Sequence, residues 1–385
     1  MQKQRRRMFV MYGGRFPSEK AAALFAAKSC EVFAAEGVDV TLLVPRRIGR
    51  LVADPFTHYG IRKNFSVIFL PIMDGYRWGI PDAVNFFLIS LSFALSSWRY
   101  LLRCAVKTDI VYSNEILPLW LCSFSFCNTF YEMHDFPESK LFLFARFCRS
   151  MRWILIHNKW KAKKFQELFP ESAPKVLYQP NAVDIGLFDI TATKEEARRL
   201  LHLEHKRYMV IYTGSLFVWK GVDTLAEAAN YLPDGFLVVF IGGSGDDIMR
   251  FRQAYGSNPK IRIEGYRSHQ EMPLWQKAGD VLVLPNTAKE DISKYYTSPM
   301  KLFEYMASKR PIVASRIPSI TEIVDDASAI LVVPDDPLEL AAGIQKAMEH
   351  PEIAEALVPA AFVKVQQYTW ENRARAILGF MERPR

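Results

Sequence analysis

Short apolar runs alternate along this chain with longer amphipathic stretches. Residues 8–12, 39–44, 67–70, 109–112 and 129–132 are compact, rich in aliphatic and aromatic side chains and set off by turn residues such as Gly13-Gly14 and Gly37. Each predicts a buried strand. Between them, 21–35 and the uncharged 83–98 have helical length. The rhythm restarts at Arg207, with strands predicted over 208–213, 236–242, 261–264 and 281–285 and helices over 221–231, 246–255 and 272–277. Strand–helix alternation of this kind builds parallel sheets covered by helices. The pattern therefore predicts two Rossmann-like α/β units in succession.

The break between them falls in Pro180-Asn181-Ala182-Val183-Asp184 and the polar stretch that runs to about Arg207. Pro180 and Asn181 supply turn chemistry, and Thr193-Lys194-Glu195-Glu196 has the form of a helix start with carboxylates in its first turn. The expected domains are 1–185 and 186–367. A terminal helix, opening at Tyr368-Thr369-Trp370-Glu371-Asn372 within 368–385, is expected to pack back on the first domain. At 385 residues the chain exceeds what one core usually supports, which agrees with two domains.

A formal charge of +8 asks for an acidic partner. No nucleic-acid-binding motif stands out, so anionic lipid or a phosphorylated small molecule remains. The five cysteines, Cys30, Cys104, Cys122, Cys127 and Cys148, lack metal-ligand spacing and suit reduced thiols in the cytoplasm. Arg5-Arg6-Arg7 precedes an apolar run too short for a signal peptide, and that run is better taken as the first strand. The uncharged stretches 83–98 and 116–131 are shorter than the roughly 20 apolar residues of a membrane span, and Asn85, Ser96, Ser123 and Asn128 interrupt them. Two readings of 83–98 stand side by side. One is a largely buried helix; the other is a membrane-surface element with Trp98, Arg99, Tyr100 and Arg103 at headgroup level, aided by the basic amino terminus and by Arg146, Arg149 and Arg152.

The candidate chemistry is densest at 297–308, a polar turn opening a short helix that carries Glu304, followed after Lys309-Arg310 by an apolar strand over 311–315. Free amides at a helix start suit a diphosphate, and a carboxylate further along can accept hydrogen bonds from ribose hydroxyls. A lone helical Glu is usually just solvated, so the weight rests on its surroundings. Lys220, between Trp219 and Gly221, lies just beyond a predicted strand, where phosphate sites are built. His134 sits at a predicted strand end in Tyr131-Glu132-Met133-His134-Asp135, with Asp135 placed to orient its ring. Gly13-Gly14-Arg15-Phe16-Pro17 follows the first strand, where glycine permits close backbone approach and Arg15 can meet phosphate or acceptor.

Taken in order, Pro180 to Asp184, Tyr212-Thr213-Gly214-Ser215 with Lys220-Gly221, Ile241-Gly242-Gly243-Ser244-Gly245, Gly265-Tyr266, Ser298 to Glu304 and Pro311 to Ser315 resemble family 4 retaining glycosyltransferases. The resemblance implies a GT-B fold, two Rossmann-like parallel-sheet domains facing a central cleft. It also implies a nucleotide-diphosphate sugar as co-substrate, without a further cofactor or a metal, and a glycan or lipid-linked acceptor. By the same resemblance Lys220 and His134 are the catalytic candidates. Gly14, Arg15, Gly214, Ser215, Lys220, Gly243, Tyr266, Ser298, Met300, Lys301, Leu302 and Glu304 are the donor-binding ones, with Tyr266 placed to stack on a base. The expected setting is the cytoplasm, peripheral at the inner face of the membrane, in cell-surface polysaccharide or glycolipid synthesis.

Two positions depart from the family pattern. The first carboxylate of its Glu-x7-Glu motif falls on Tyr296, and the residue after Gly214, often Arg in relatives, is Ser215; Lys301 or Arg15 is left to supply the missing cation. Pro299 has no amide to offer a phosphate, which leaves Ser298 and Met300. A noncatalytic GT-B subunit is the alternative these departures favour. A nucleotide-sugar epimerase is a second, though the paired carboxylates it needs are not visible.

Overall fold

The computed structural model of the chain describes residues 6–48, 51, 53–137 and 139–383. Arg5 and the last two residues of 368–385 lie outside them. The chain divides into two compact units, Met1–Gln179 with Trp370–Arg385, and Pro180–Thr369.

The first unit is a parallel sheet of β1 (Arg7–Met11), β2 (Asp39–Pro45), β3 (Ser66–Leu70), β4 (Ile110–Ser113), β5 (Thr129–Met133), β6 (Trp153–Ile156) and β7 (Val176–Tyr178). Their order is β3-β2-β1-β4-β5-β6-β7. Helices cover both faces, so the central strands bury nearly every side chain, as parallel sheets require. On one face Phe9, Met11, Val111, Tyr131 and Ile154 meet Phe93, Leu119 and Phe147 from the helices Asp82–Cys104, Ile116–Ser123 and Leu141–Ser150. On the other, the helix Ala21–Ala35 packs with the terminal helix Trp370–Met381.

The terminal helix is locked in place by charge as well as by packing. Arg373, nearly fully buried, puts Nη2 2.5 Å from Glu132 Oε1, and Trp370 meets Phe25 edge-on at 5.2 Å between ring centroids.

The second unit contains β8 (Tyr208–Thr213), β9 (Phe236–Ile241), β10 (Ile261–Gly265), β11 (Val281–Leu284), β12 (Ile312–Ser315) and β13 (Ile330–Val332), ordered β10-β9-β8-β11-β12-β13 and all parallel. Period-two alternation sorts its side chains: Met209, Ile211, Val239 and Leu282 into one core, Val210, Tyr212, Val238 and Val283 into the other. Thr193 caps the helix Lys194–Leu200 in a reciprocal capping box with Glu196. The two ends of the unit meet where the Val183 amide donates to the Tyr368 carbonyl at 2.9 Å.

Three strands lie beyond those the apolar runs predicted: β6, β7 and β13. The helix over 83–98 also differs from its largely buried reading. Asp82–Cys104 buries one face through Asn85, Ile89, Phe93, Ala94, Ser97 and Leu101, while Val84, Phe87, Leu95 and Leu102 stay exposed on the other. Its uncharged sequence therefore reflects an apolar outer face rather than burial all round. Among the described residues no helix is long and apolar enough to cross a membrane. The cysteines are unpaired; Cys30, Cys122 and Cys148 are buried, Cys104 is half-buried and Cys127 is exposed.

Candidate active site

The strand order of the second unit reverses between β8 and β11, and ligands of open parallel sheets bind outside the carboxyl ends of the strands at such a point. The loop leaving β8 starts with Gly214 at φ +125°. A Cβ on Gly214 would lie 2.7 Å from Lys301 Nζ, so the glycine makes room for that amine. The loop then turns through Val218–Lys220 into Gly221, whose absent Cβ would strike the Pro285 carbonyl oxygen at the end of β11. Only glycine lets these two strand ends close together. Lys220 is thereby fixed beside the switch point, its amine 3.8 Å from the centroid of the Trp219 ring. Burial pulls its pKa down to about 8.

The helix Met300–Ala307 faces this loop. Thr213 donates its amide to Tyr305 Oη at 2.8 Å, tying the helix to the end of β8. Pro299 stands at the N-cap position, where its side chain offers no hydrogen bond, so the first amides of the helix have no side-chain acceptor. Ser298 is buried against the start of the unit: its carbonyl accepts from Asn181 Nδ2 at 2.6 Å. Met300 and Lys301 open the helix. Leu302 lies in the core, and its amide donates to the Pro299 carbonyl at 3.0 Å.

Lys301 Nζ is sealed from solvent and has no hydrogen-bond partner. It sits 3.7 Å from the centroid of the Tyr212 ring, and Tyr212 Oη donates to the Ser215 carbonyl at 2.7 Å. Burial, then repulsion from Lys220, hold its pKa well below the ordinary lysine value, against the pull of Glu304.

Glu304 is buried, with His269 Nε2 3.1 Å from Oε1 and Gln276 Nε2 donating to Oε2 at 3.5 Å. The remaining acceptor capacity of this carboxylate suits vicinal hydroxyls. Gly243, at φ +80°, packs its bare Cα against Leu216, and Tyr266 is exposed just past β10. Tyr296 closes a single π-helical turn, Ile292–Tyr296.

The first unit has its own reversal, between β1 and β4. After β1, the Gly13 amide donates to Glu115 Oε1 at 3.1 Å, and Gly14 has no room for a Cβ beside Tyr12. Burial pushes the Glu115 carboxyl up. Arg15 donates through Nε to the Ile48 carbonyl at 3.2 Å and stands over the Tyr76 ring. His134 follows β5, its Nε2 3.4 Å from Glu132 Oε1 and its ring edge-on to Phe25 at 5.2 Å. Glu132 therefore orients this ring rather than Asp135, because the carboxylate within reach of the ring nitrogen comes from inside the strand. Burial pushes Glu132 up, but Arg373, His134 and Tyr112 outweigh it and hold the carboxyl at about 2. Behind it lies buried Lys161, which donates to the His134 carbonyl and is brought down to about 8 by burial.

Glu132, Arg373, Lys161, His269 and Gln276 escaped the sequence reading. A charged residue inside an apolar strand, as in Phe130-Tyr131-Glu132-Met133, was the available signal for the first. Arg373 lies 241 positions from Glu132, and nothing local pairs them. Among the described residues no group of three or more His, Cys, Asp or Glu is gathered as a metal site.

Two units of Rossmann strand order, each with its ligand edge at a switch point, define the GT-B class of fold. The solved sucrose-phosphate synthase of Thermosynechococcus elongatus shares it, with a TM-score of 0.76 over 97% of this chain and 98% of its own at 18% identity. Residues 207–350, which carry Gly214, Lys220, Lys301 and Glu304, match the model of the family described as glycosyl transferases group 1. Alpha-D-kanosaminyltransferase of Streptomyces kanamyceticus is 27% identical over 45% of this chain and 44% of its own length. The UDP-Gal:alpha-D-GlcNAc-diphosphoundecaprenol alpha-1,3-galactosyltransferase of Escherichia coli is 27% identical over 46% and 45%. The chain thus spans about half the length of these curated relatives.

Proposed function

We propose that the chain is a retaining glycosyltransferase that moves a sugar from a nucleotide-diphosphate donor to a glycan or lipid-linked acceptor. The observation that carries this reading is the meeting of Lys220, the uncapped helix start at Met300 and the buried carboxylate of Glu304 at one switch point. Cation and amides suit a diphosphate, and the carboxylate suits the ribose. Lys220 stabilises the leaving diphosphate as its charge grows. These groups supply the positive charge a departing diphosphate needs, so the reading calls for no metal ion. Retention follows from the family 4 resemblance, by same-face attack in which the leaving phosphate takes the acceptor proton.

In this reading His134 meets the donor sugar, while Gly14 and Arg15 reach over sugar and phosphates. Tyr296 supplies no carboxylate to the transferred sugar, so recognition of that sugar rests on other groups. Gly243 and Tyr266 belong to the donor side, Tyr266 for the base.

A lipid-linked acceptor fits the outer face of the helices Asp82–Cys104, Ile116–Ser123 and Leu141–Ser150. A surface helix normally turns polar groups outward. Here Phe86, Phe124 and Phe142 are 71%, 76% and 73% exposed, and Phe87, Leu95, Leu102 and Leu143 are exposed with them. The three helices carry one acidic residue, Asp82, against Arg99, Arg103, Arg146 and Arg149. Apolar groups among cations suit an anionic bilayer surface, which supports the reading of a protein at the inner face of the cell membrane whose product joins surface polysaccharides or glycolipids.

The test is turnover. The purified chain, given a panel of nucleotide sugars with undecaprenyl-diphosphate-linked sugar acceptors, is expected to release nucleoside diphosphate and to form an elongated glycolipid seen by mass spectrometry. Nucleotide binding without release or transfer under any donor would instead mark a noncatalytic GT-B subunit.

A further inference from the structure

The cation missing after Gly214 has an unusual neighbour. Ser215 brings no charge to the β8 loop, yet the amine of Lys301 lies within 2.7 Å of where a Cβ on Gly214 would stand. That amine is enclosed, faces the Tyr212 ring, and bonds to no oxygen. A buried ammonium left without an acceptor is costly, and the face of one ring returns only a small part of the lost hydration. Arg15, the other candidate for the missing charge, already donates to the Ile48 carbonyl and stands over Tyr76.

We infer that Lys301 is the second diphosphate cation of this site, transposed from the loop after β8 to the helix that faces it, with Gly214 kept bare to admit its amine. The inference rests on the donor-site reading above and adds how the site is charged. In the free protein the amine faces Lys220 from the β8 loop, Tyr212 from the strand, and Glu304 from its own helix. Burial and Lys220 favour its neutral form, and Glu304 alone favours the charged one. An arriving diphosphate supplies the absent acceptor and favours the charged amine, so binding is coupled to proton uptake wherever the free amine titrates. Donor binding and protonation of the amine then reinforce each other.

Calorimetry on the full chain tests this with UDP, GDP, ADP, CDP and dTDP, continuing with the one that binds tightest. Lys301→Met keeps the stem over Tyr212 and should weaken that nucleoside diphosphate by about tenfold or more, as loss of a hydrogen bond to a charged group does. The matching nucleoside should be affected by less than about threefold. Lys301→Met with Ser215→Arg should recover most of the loss, because the charge returns from the loop. Should Lys301→Met fold poorly, Lys301→Arg serves: it should bind, yet the wild type should take up more protons per ligand than the variant across a pH series from 7 upward, measured in buffers of different ionisation enthalpy. Unchanged affinity in Lys301→Met, equal losses for nucleoside and diphosphate, or equal proton uptake in wild type and Lys301→Arg would each overturn the inference alone. Wild type that binds no nucleoside diphosphate would instead remove the donor-site reading on which it rests.

Discussion

In the proposed reaction two lysines and one carboxylate carry the chemistry at the scale of single residues. Lys220 is fixed by Gly221, which only a bare Cα allows so near the Pro285 carbonyl. Removing its charge with Lys220→Ala should lower kcat on the order of a hundredfold, the range seen when one preorganised charge stabiliser is lost. Steady-state rates at saturating donor check this, and a loss confined to KM would assign Lys220 to ground-state binding. Its pH signature has a definite sign. The diphosphate favours the protonated amine, so the bound form holds its proton more tightly than the free form, whose pKa is about 8. In Lys301→Arg, where the second amine no longer titrates, donor affinity should stay level from pH 7 to about 8. Above that it should fall by up to about tenfold per pH unit, the limit for one linked proton.

At the scale of elements, the terminal helix Trp370–Met381 depends on one buried ion pair. Replacing Arg373 with Met leaves Glu132 enclosed without its main counter-charge, which costs about 3–5 kcal/mol in comparable buried pairs. Urea unfolding near pH 7 should show that loss. The pH course follows from Glu132, whose folded pKa is about 2, below its ordinary value. Its stabilisation is present above the ordinary carboxylate range and disappears as pH falls toward about 2. The difference between wild type and Arg373→Met should therefore shrink below about pH 4; a difference independent of pH would assign the effect to packing instead.

How far these elements were legible depends on where their determinants lie. β1, β2, β8, β9 and β11 are dense apolar runs beside Gly or Pro, and local pattern suffices for them. β6 follows the basic end of a helix at Arg149-Ser150-Met151-Arg152, with no Gly or Pro to mark its start. β13 is only three residues long. The helix Asp82–Cys104 was legible as a helix but not in its orientation, because its inner and outer faces are both apolar. In the site, Lys220 and Glu304 stood in recognisable local settings. The partners that set the environment of Glu304, His269 and Gln276, come from a segment distant in sequence. Asp135 was the nearer carboxylate to His134 in sequence, but alternation along β5 leaves Glu132 on the same side as the ring.

For the whole molecule, the same chain joins a polar donor edge in the second unit to an apolar, basic outer face in the first. If that face meets lipid, the protein should co-sediment with vesicles containing phosphatidylglycerol and should be released by salt, while phosphatidylcholine vesicles should retain much less. Phe87→Glu with Leu95→Glu should abolish the binding without changing donor affinity, since neither is among the residues proposed to hold the donor. Equal binding to both lipids, or no effect of the two substitutions, would contradict the proposed face.

The donor site proposed at the β8 and β11 switch point stands or falls on nucleotide binding. Calorimetric titration of the full chain with the nucleoside diphosphate panel, comparing wild type with Lys220→Ala and Glu304→Ala, tests it most directly. One preferred nucleotide is expected, bound about tenfold or more weaker by each variant, through the phosphates in the first case and the ribose in the second. Failure of the whole panel to bind, or binding indifferent to both substitutions, would contradict it.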